Sequence, residues 1–502
     1  MPIYNDAHLN GHQRYKIASL KRSLQHAENY NEWKTIAQQL DEVTGLEAWK
    51  FDNTSPHYGY PFLAQRLIRI KRLIETDQQL DLSEYLREGL NFDIANIAHP
   101  LLYNQTFTGT KKLIEDYVDS MSKAFAYVAS DEFTAFNRAE KIEYLEGALK
   151  AYGQPALMFS GGATLGIFHL GVCKVLYEQD LLPKVFSGSS AGAIMAAMLA
   201  THNDQELMDF IQSDGFIDHA FKYRSIYQIL ADQGGLADIG TLKKFLIANL
   251  GDYTFEEAFA KSGRHCSIVV APYSTGYNPR IMNEIMSPEL LVWSATLASC
   301  AIPFFFPPVR LKTKRHDGVY TPYMANTHWV DGSVRSDFPQ IRMARLYNIN
   351  YSIACQVNPH VVPFMQSDFQ RYRRDLLSWP SRFIRHQAKT LSMQGLDFTR
   401  NNLSSFPLIQ RVVDHGYGIV GQRYYGDINI AAKYNLNHYL WMVKNPDKKI
   451  FKQLQKEGER AIWPKISSIE MHARIGKTIE HCLTVLKSGQ QQHQASAHEH
   501  QL

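Results

Sequence analysis

The stretch Val185-Phe-Ser-Gly-Ser-Ser-Ala-Gly-Ala-Ile194 constrains this 502-residue chain more than any other. It reads as a short buried strand, a tight turn, and a helix of small apolar residues from Ala191 to Ala200. Within it, Gly188-Ser189-Ser190-Ala191-Gly192 has the G-x-S-x-G spacing of a nucleophile elbow. The spacing has a chemical reason. The serine must stand on a sharp turn with its hydroxyl projecting from the sheet edge. Glycines two residues to either side let the strand and helix backbones approach. The helix N-terminus behind the turn favours developing negative charge. Strand-to-helix turns rich in Gly, Ser and Ala are also ordinary packing devices in α/β proteins, so the pentapeptide alone leaves both readings open.

The neighbouring sequence narrows the choice. From Pro155 the apolar run Ala156-Leu-Met-Phe159 leads into Ser160-Gly161-Gly162-Ala163-Thr164-Leu165-Gly166. An amphipathic helix, Ile167 to Gln179, follows, and Pro183 leads into the Val185 strand. Strand–helix–strand predicts parallel neighbours joined by a right-handed crossover. Their C-terminal ends then lie side by side, which places the Gly161 turn next to Ser190. Ser267–Ala271 and Tyr351–Val357 read as further buried strands. A short strand at His328–Val330 ends in Asp331-Gly332-Ser333, and Pro339 stands near the start of the helix after it.

A chain of this length predicts two or three units. Residues 1–25 read as a polar leader and 26–150 as a helical domain. In the latter, Tyr30 to Asp41 is amphipathic. Phe62 to Glu75 carries Leu63, Leu67, Ile70 and Leu73 on one face, and Leu113, Ile114, Tyr117, Val118 and Met121 mark a third helix that Gly109-Thr110 could cap. Residues 151–360 form the α/β part, a mainly parallel sheet between helices. Residues 361–488 read as mixed and then helical, and the low-complexity tail 489–502 as disordered. Leu290 to Val309 is an uncharged run of spanning length. Its Pro303, Pro307 and Pro308, with Ser294, Thr296 and Ser299, make it a buried helix followed by an irregular wall.

Several functions are excluded by what the residues lack. A net charge of +4 is too weak to argue for nucleic acid. The five cysteines, Cys173, Cys266, Cys300, Cys355 and Cys482, are odd in number, widely spaced and without a CxxC pair. That disfavours a disulfide framework or zinc site and fits a reducing, cytoplasmic compartment. No apolar signal segment is visible near the N-terminus. A dinucleotide fingerprint would need glycine at Ala163 and an acidic residue where Ser187-Gly188 stands, and no P-loop lysine is present.

Acyl transfer needs a nucleophile, a base and oxyanion donors. Ser190 is the candidate nucleophile. Gly161 and Gly162 can aim backbone N–H groups without obstruction by a side chain. Asp331, at a strand end, is placed to accept the Ser190 proton. Histidine bases are the competing reading. His169 follows the glycine turn and faces Cys173, His328 precedes Asp331 by three residues, and His316 lies in a charged loop. His360, His386, His415 and His438 follow Asp331 without a distinctive context and read as structural or exposed.

Taken in order, Ser160-Gly-Gly-Ala-Thr-Leu-Gly166, Gly188-Ser-Ser-Ala-Gly192, Ala298-Ser-Cys-Ala-Ile-Pro303 with Pro307-Pro308, and Asp331-Gly-Ser333 resemble the patatin-like phospholipase family. Glu32-Trp33, Gly109-Thr-Lys-Lys-Leu-Ile-Glu-Asp116, Trp329-Val-Asp-Gly-Ser333, Gln356-Val-Asn-Pro-His360 and Tyr425-Gly-Asp-Ile428 are similar to its fungal and plant triacylglycerol-lipase branch, which has a helical N-terminal domain. The likeness covers about residues 28–470.

The resemblance implies a three-layer α/β/α fold and a Ser–Asp dyad without histidine, with Ser190 as nucleophile and Asp331 as base. It implies an oxyanion hole at Gly161, Gly162 and Ala163, supported by Gly166, Gly188, Gly192 and Gly332. It implies no metal and no cofactor. The implied activity is hydrolysis of glycerolipid carboxylic esters through an acyl-enzyme, by a triacylglycerol lipase or phospholipase. A lysophospholipase or transacylase with the same dyad, or an idle lipid-binding scaffold, are the alternatives; the intact Ser190, Asp331 and glycine turn argue against idleness. Two departures from the common pattern, Ala163 for the third glycine and Leu165 for a basic residue, are shared by the triacylglycerol-lipase branch and lean the substrate toward neutral glycerolipids. Phe304-Phe305-Phe306 are either a wall of the acyl pocket or the packing of a core turn. Arg371 to Lys389 carries six basic residues and one acidic among Tyr372, Trp379, Phe383 and Ile384. It suits reversible docking on a membrane or lipid-droplet surface, or is simply a solvated helix face.

Overall fold

The computed structural model describes residues 2, 9–213, 216, 220, 222–223, 236–274, 278–303, 305–333, 338–359, 361, 425–442 and 444–499. Phe304, His360, His386, His415 and the basic stretch 371–389 lie outside them. The chain forms two compact units. One comprises residues 1–155, 347–351 and 462–502, and the other residues 156–346 and 352–461.

The first unit is helical, and its helices start where short polar side chains can cap them. Tyr30–Val43 begins at Asn29, whose side chain accepts from the Glu32 N–H. Arg138–Tyr152 opens with a capping box between Asn137 and Glu140. Tyr60–Glu75 buries Leu63, Leu67, Ile70 and Leu73, as the period predicts. Lys112–Ala129 buries Leu113, Ile114, Tyr117, Val118 and Met121. These faces share one apolar core with Ile475, Ile479 and Leu483 of the helix Ile466–Glu499.

Two local expectations are corrected here. The polar leader carries a helix, Gly11–His26, started by a capping box between Asn10 and Gln13. Only Ile17 and Leu24 are buried on it, so its apolar signal is too sparse to read by period. Gly109-Thr110 does not cap Lys112–Ala129, whose N-cap is Lys111 without a side-chain bond. The Gly109 N–H instead donates to Ser467 Oγ, and Thr110 Oγ1 donates to the Leu102 carbonyl.

The second unit is built on a sheet. Its strands are β1 (Gln154–Phe159), β2 (Val185–Gly188), β3 (His265–Pro272), β4 (Arg280–Met282), β5 (Lys312–Lys314), β6 (Tyr320–Pro322), β7 (Trp329–Asp331), β8 (Ile349–Gln356) and β9 (Ile428–Ala431). The order is β4-β3-β2-β1-β8-β9, with β7 also paired to β3, and β5–β6 form a separate hairpin. β1–β2, β2–β3 and β8–β9 are parallel, whereas β4 and β7 run antiparallel to β3. The fold is thus the expected α/β class with a mainly parallel central sheet.

The helix Ala191–Thr201 packs on β2 and β3, and Val292–Ser299 packs on β3, β7 and Ala191–Thr201. The run from Leu290 is therefore a buried helix followed by irregular chain. The crossover helix Ile167–Glu178 meets Lys448–Ile462 at backbone contact. A Cβ at Gly171 would lie 1.9 Å from the Gln455 carbonyl oxygen, and one at Gly458 would lie 2.0 Å from that of Phe168.

Candidate active site

β1 and β2 pair in parallel with Phe159 opposite Gly188, so the two strands end level and their following turns are neighbours. The Ser189 N–H donates to the Phe159 carbonyl at 3.3 Å. The flanking glycines are required for space. A Cβ at Gly188 would lie 2.1 Å from the Gly192 oxygen, and a Cβ at Gly192 2.3 Å from the Phe159 oxygen. Between them Ser190 adopts φ 51° and ψ −121° at the N-cap of Ala191–Thr201. A side-chain-bearing residue held there costs about 1–3 kcal/mol of local strain, which persists only where surrounding contacts enforce it.

The N–H groups of Ala193 and Ile194 hold the Ser190 carbonyl, and further contacts come from the end of the helix Val292–Ser299. Ser299 Oγ accepts from the Ser190 N–H at 3.0 Å and donates to the Val269 carbonyl at 2.7 Å. Cys300 Sγ donates to the Ser190 carbonyl at 3.3 Å. Ala301 contributes its carbonyl, which accepts from the Asp331 N–H at 3.1 Å. Asp331 ends β7 opposite Val270 of β3 and is 1% exposed. Its Oδ1 accepts from the Ser333 N–H at 2.8 Å. Gly332 lies against Val269, where a Cβ would come within 2.6 Å of backbone.

The glycine turn closes the arrangement. A Cβ at Gly161 would lie 3.2 Å from Ser190 Cβ and 3.4 Å from Ser333 Cβ, so the serine, the glycine turn and the Asp331–Ser333 turn converge. Ser160 Oγ ties the turn by donating to the Gly161 carbonyl and accepting from the Val357 N–H. A Cβ at Gly162 would lie 2.7 Å from Val357 Cγ2. Ala163 has φ 49°. Among the described residues, none accepts a hydrogen bond from the N–H of Gly162 or Ala163. Thr164 is held by the Met442 and Lys444 carbonyls, at 3.2 Å from its N–H and 2.6 Å from its hydroxyl. A Cβ at Gly166 would lie 2.6 Å from Ala191 Cβ, so the turn also touches the elbow helix.

The histidines are engaged elsewhere. His169 is fully buried, with Nε2 3.0 Å from the Ser160 carbonyl and Nδ1 3.0 Å from Cys355 Sγ. The carbonyl can only accept, so Nε2 carries the proton and Nδ1 takes the thiol's. Burial pushes its pKa down to about 4, which keeps the ring neutral. His328 is exposed and bonded to Arg310, His316 is exposed, and His438 sits between Asn435 and Glu457. None of these bonds involves Ser190 or Asp331.

Of the three phenylalanines, Phe306 is buried, and Phe305 is half-buried with its ring 6.4 Å from that of Tyr223. The cysteines are free and buried. Among the described residues, no group of three or more His, Cys, Asp or Glu is arranged to hold a metal ion. Among the same residues, no helix is long and apolar enough to cross a membrane. A cavity of about 530 Å³ in the helical unit is lined by Arg87, Leu90, Glu143, Glu146 and Lys150, among others. It holds none of the site candidates.

Reasoning from motifs missed Ser299, Cys300 and Ala301 as partners of Ser190 and Asp331, and Met442 and Lys444 as partners of Thr164. The stretch Ala298–Pro303 was noticeable, but nothing in its residue types says which groups it meets.

Comparison with known proteins agrees with this architecture. Residues 157–342 match the patatin-like phospholipase family, and residues 10–149 match a domain of unknown function, DUF3336. The chain is 30% identical over 469 residues to triacylglycerol lipase ptl3 of Schizosaccharomyces pombe, covering 91% of this chain and 95% of that one. It is 30% identical over 498 residues to triacylglycerol lipase 5 of Saccharomyces cerevisiae, covering 94% of this chain and 66% of that one. Triacylglycerol lipase SDP1L of Arabidopsis thaliana is 28% identical, and the chain spans 60% of its length. The chain belongs to the patatin-like phospholipase family and groups with its triacylglycerol-lipase branch.

Proposed function

We propose that this protein is a serine lipid acyl hydrolase that cleaves glycerolipid carboxylic esters, with Ser190 as nucleophile and Asp331 as general base. One observation carries the reading. A serine in strained backbone and the turn that begins at a buried aspartate both lie against one glycine, Gly161, which is close to Ser190 on one side and Ser333 on the other.

In this reading Asp331 takes the Ser190 hydroxyl proton as Oγ attacks the ester carbonyl. The N–H groups of the Gly161–Ala163 turn receive the oxyanion. Collapse breaks the bond to the glycerol oxygen, which leaves with the proton from Asp331, and the acyl group stays on Ser190. Water, deprotonated by Asp331, then releases the fatty acid and restores the serine. The engagement of His169 with Ser160 and Cys355 supports a base other than histidine. Leu165, buried at the turn, puts no cation beside the site, and the relatives are named triacylglycerol lipases. Both favour a neutral glycerolipid over an anionic headgroup. Such a substrate resides in a membrane or droplet, so the enzyme works by reversible association with that surface.

The test is fluorophosphonate labelling with Ser190→Ala as control, followed by fatty-acid release from triacylglycerol and phosphatidylcholine emulsions. Labelling is expected on the wild type alone, with release faster from triacylglycerol. Undiminished labelling of a folded Ser190→Ala protein would overturn the assignment.

A further inference from the structure

The three residues Ser299, Cys300 and Ala301 follow one another at the C-terminal end of a buried helix, yet each bonds a different part of the site. Ser299 Oγ takes the Ser190 N–H and passes its own proton to Val269 of β3. Cys300 Sγ reaches the Ser190 carbonyl, so both sides of the strained residue are held. The Ala301 carbonyl takes the Asp331 N–H. Val269 is also the residue against which Gly332 is pressed. A single turn of chain therefore connects the backbone of the serine to the backbone of the aspartate.

We propose that residues 299–301 are a positioning clamp that sets the separation of the Ser190 hydroxyl and the Asp331 carboxylate. The inference rests on the assignment of those two residues as nucleophile and base. A dyad without an intervening imidazole passes the proton directly, over hydrogen-bond distance, so its rate depends on that one separation. The first turn of Ala191–Thr201 also holds the Ser190 carbonyl, through the N–H groups of Ala193 and Ile194, but of these groups only Ser299 takes its N–H. Without that bond and the Cys300 bond, φ 51° is less well enforced, because an L-residue relaxes toward negative φ. Relaxation would move the hydroxyl from the position the strained backbone gives it. The Cys300 thiol stays protonated, because burial and then the Asp331 charge push its pKa well up, so its S–H is available as a donor. Ser299 is fully buried, and its hydroxyl is bonded on both sides without touching the nucleophile's own oxygen position. It orients and does not react.

The experiment compares Ser299→Ala, Cys300→Ala and Cys300→Ser in the full chain, on a soluble short-chain ester. Rates are taken per active site counted by fluorophosphonate end-point titration, with melting temperatures measured alongside. Ser299→Ala is expected to lower kcat per site about 10- to 100-fold with KM within about twofold, the scale of a small misplacement of reacting groups. Cys300→Ala is expected to lose about three- to tenfold, and Cys300→Ser, which keeps a donor, to recover most of that loss. A purely structural role would lower the melting temperature and the number of titrated sites but leave kcat per site unchanged, which overturns the proposal. If Ser299→Ala does not fold, the cysteine pair decides: Cys300→Ser no better than Cys300→Ala overturns it. Ser190→Ala separates the two levels. Full activity there removes the dyad and the clamp together, whereas an inactive Ser190→Ala beside a fully active Ser299→Ala removes the clamp alone.

Discussion

Each unit contains a buried aspartate, and the two differ in what surrounds them. In the helical unit Asp41 is fully buried. Its Oδ1 accepts from the Phe107 N–H at 2.7 Å, and its Oδ2 accepts from the Thr108 N–H at 3.2 Å and lies 3.2 Å from Lys50 Nζ. Burial still holds its pKa above the usual carboxylate range, against the pull of those bonds and of Lys50. Asp331 is as deeply buried, but the turn it opens lies through Ser333 against Gly161, which also lies against the strained Ser190. A buried carboxylate is therefore not by itself a sign of chemistry. Around Asp41 the backbone relaxes to satisfy the charge and the loop is the product. Near Asp331 the strained backbone is that of Ser190, across Gly161, and the meeting of the three turns is the product.

Four measurements test the difference between the two units. The largest effect belongs to Asp331→Asn, which keeps size and hydrogen bonding but cannot act as a base. Turnover on a soluble ester is expected to fall by about two to four orders of magnitude, while thermal melting stays within a few degrees. A fully active, stable variant would reduce Asp331 to a second Asp41. The converse substitution, Asp41→Ala, removes the acceptor for two backbone donors. It is expected to destabilise the fold by about 3–4 kcal/mol, read in denaturant melts, with the labelling rate per folded site unchanged.

The third measurement concerns pH. His169 has its pKa lowered to about 4 by burial, against an ordinary 6.5. Between these values the unfolded chain binds the proton and the folded one does not. Stability is then complete above pH 6.5 and is lost as pH falls toward 4, by roughly 3 kcal/mol in all. Urea midpoints from pH 7 to 4 should follow that window, and His169→Gln should flatten it. A window unchanged in His169→Gln would assign the acid sensitivity to other groups. The smallest effect is expected of Asn137→Ala, which removes the capping box of Arg138–Tyr152. About 1 kcal/mol of stability should be lost, with no change in kcat.

Much of this molecule was readable before its structure. The helices Tyr60–Glu75 and Lys112–Ala129 bury the residues their period marks, because a helix displays i, i+3 and i+4 on one face regardless of what it packs against. The adjacency of Ser190 and the Gly161 turn followed from a single strand–helix–strand unit, whose handedness and parallel pairing leave one arrangement. Even the flanking glycines Gly188 and Gly192 carried their reason in the motif.

What the sequence determined by itself is local: which segments are helix or strand, where the sharp turn lies, and which side chains could act there. Only the tertiary structure decided that the last long helix completes the core begun by the N-terminal ones. It also decided that residues 425–461, past the matched family region, join the sheet unit and tie Thr164 through Met442 and Lys444. The joining of Ser190 to Asp331 through residues 299–301 belongs with these. For the core, an apolar helix face names no partner, because any complementary apolar face would cover it; for the other two the reason lies in the backbone. Long-range contacts of this kind are made largely by backbone carbonyls and N–H groups, which every residue type carries alike. The identity of Ala301 says nothing about the aspartate its carbonyl meets, so the partner is chosen by how the elements pack.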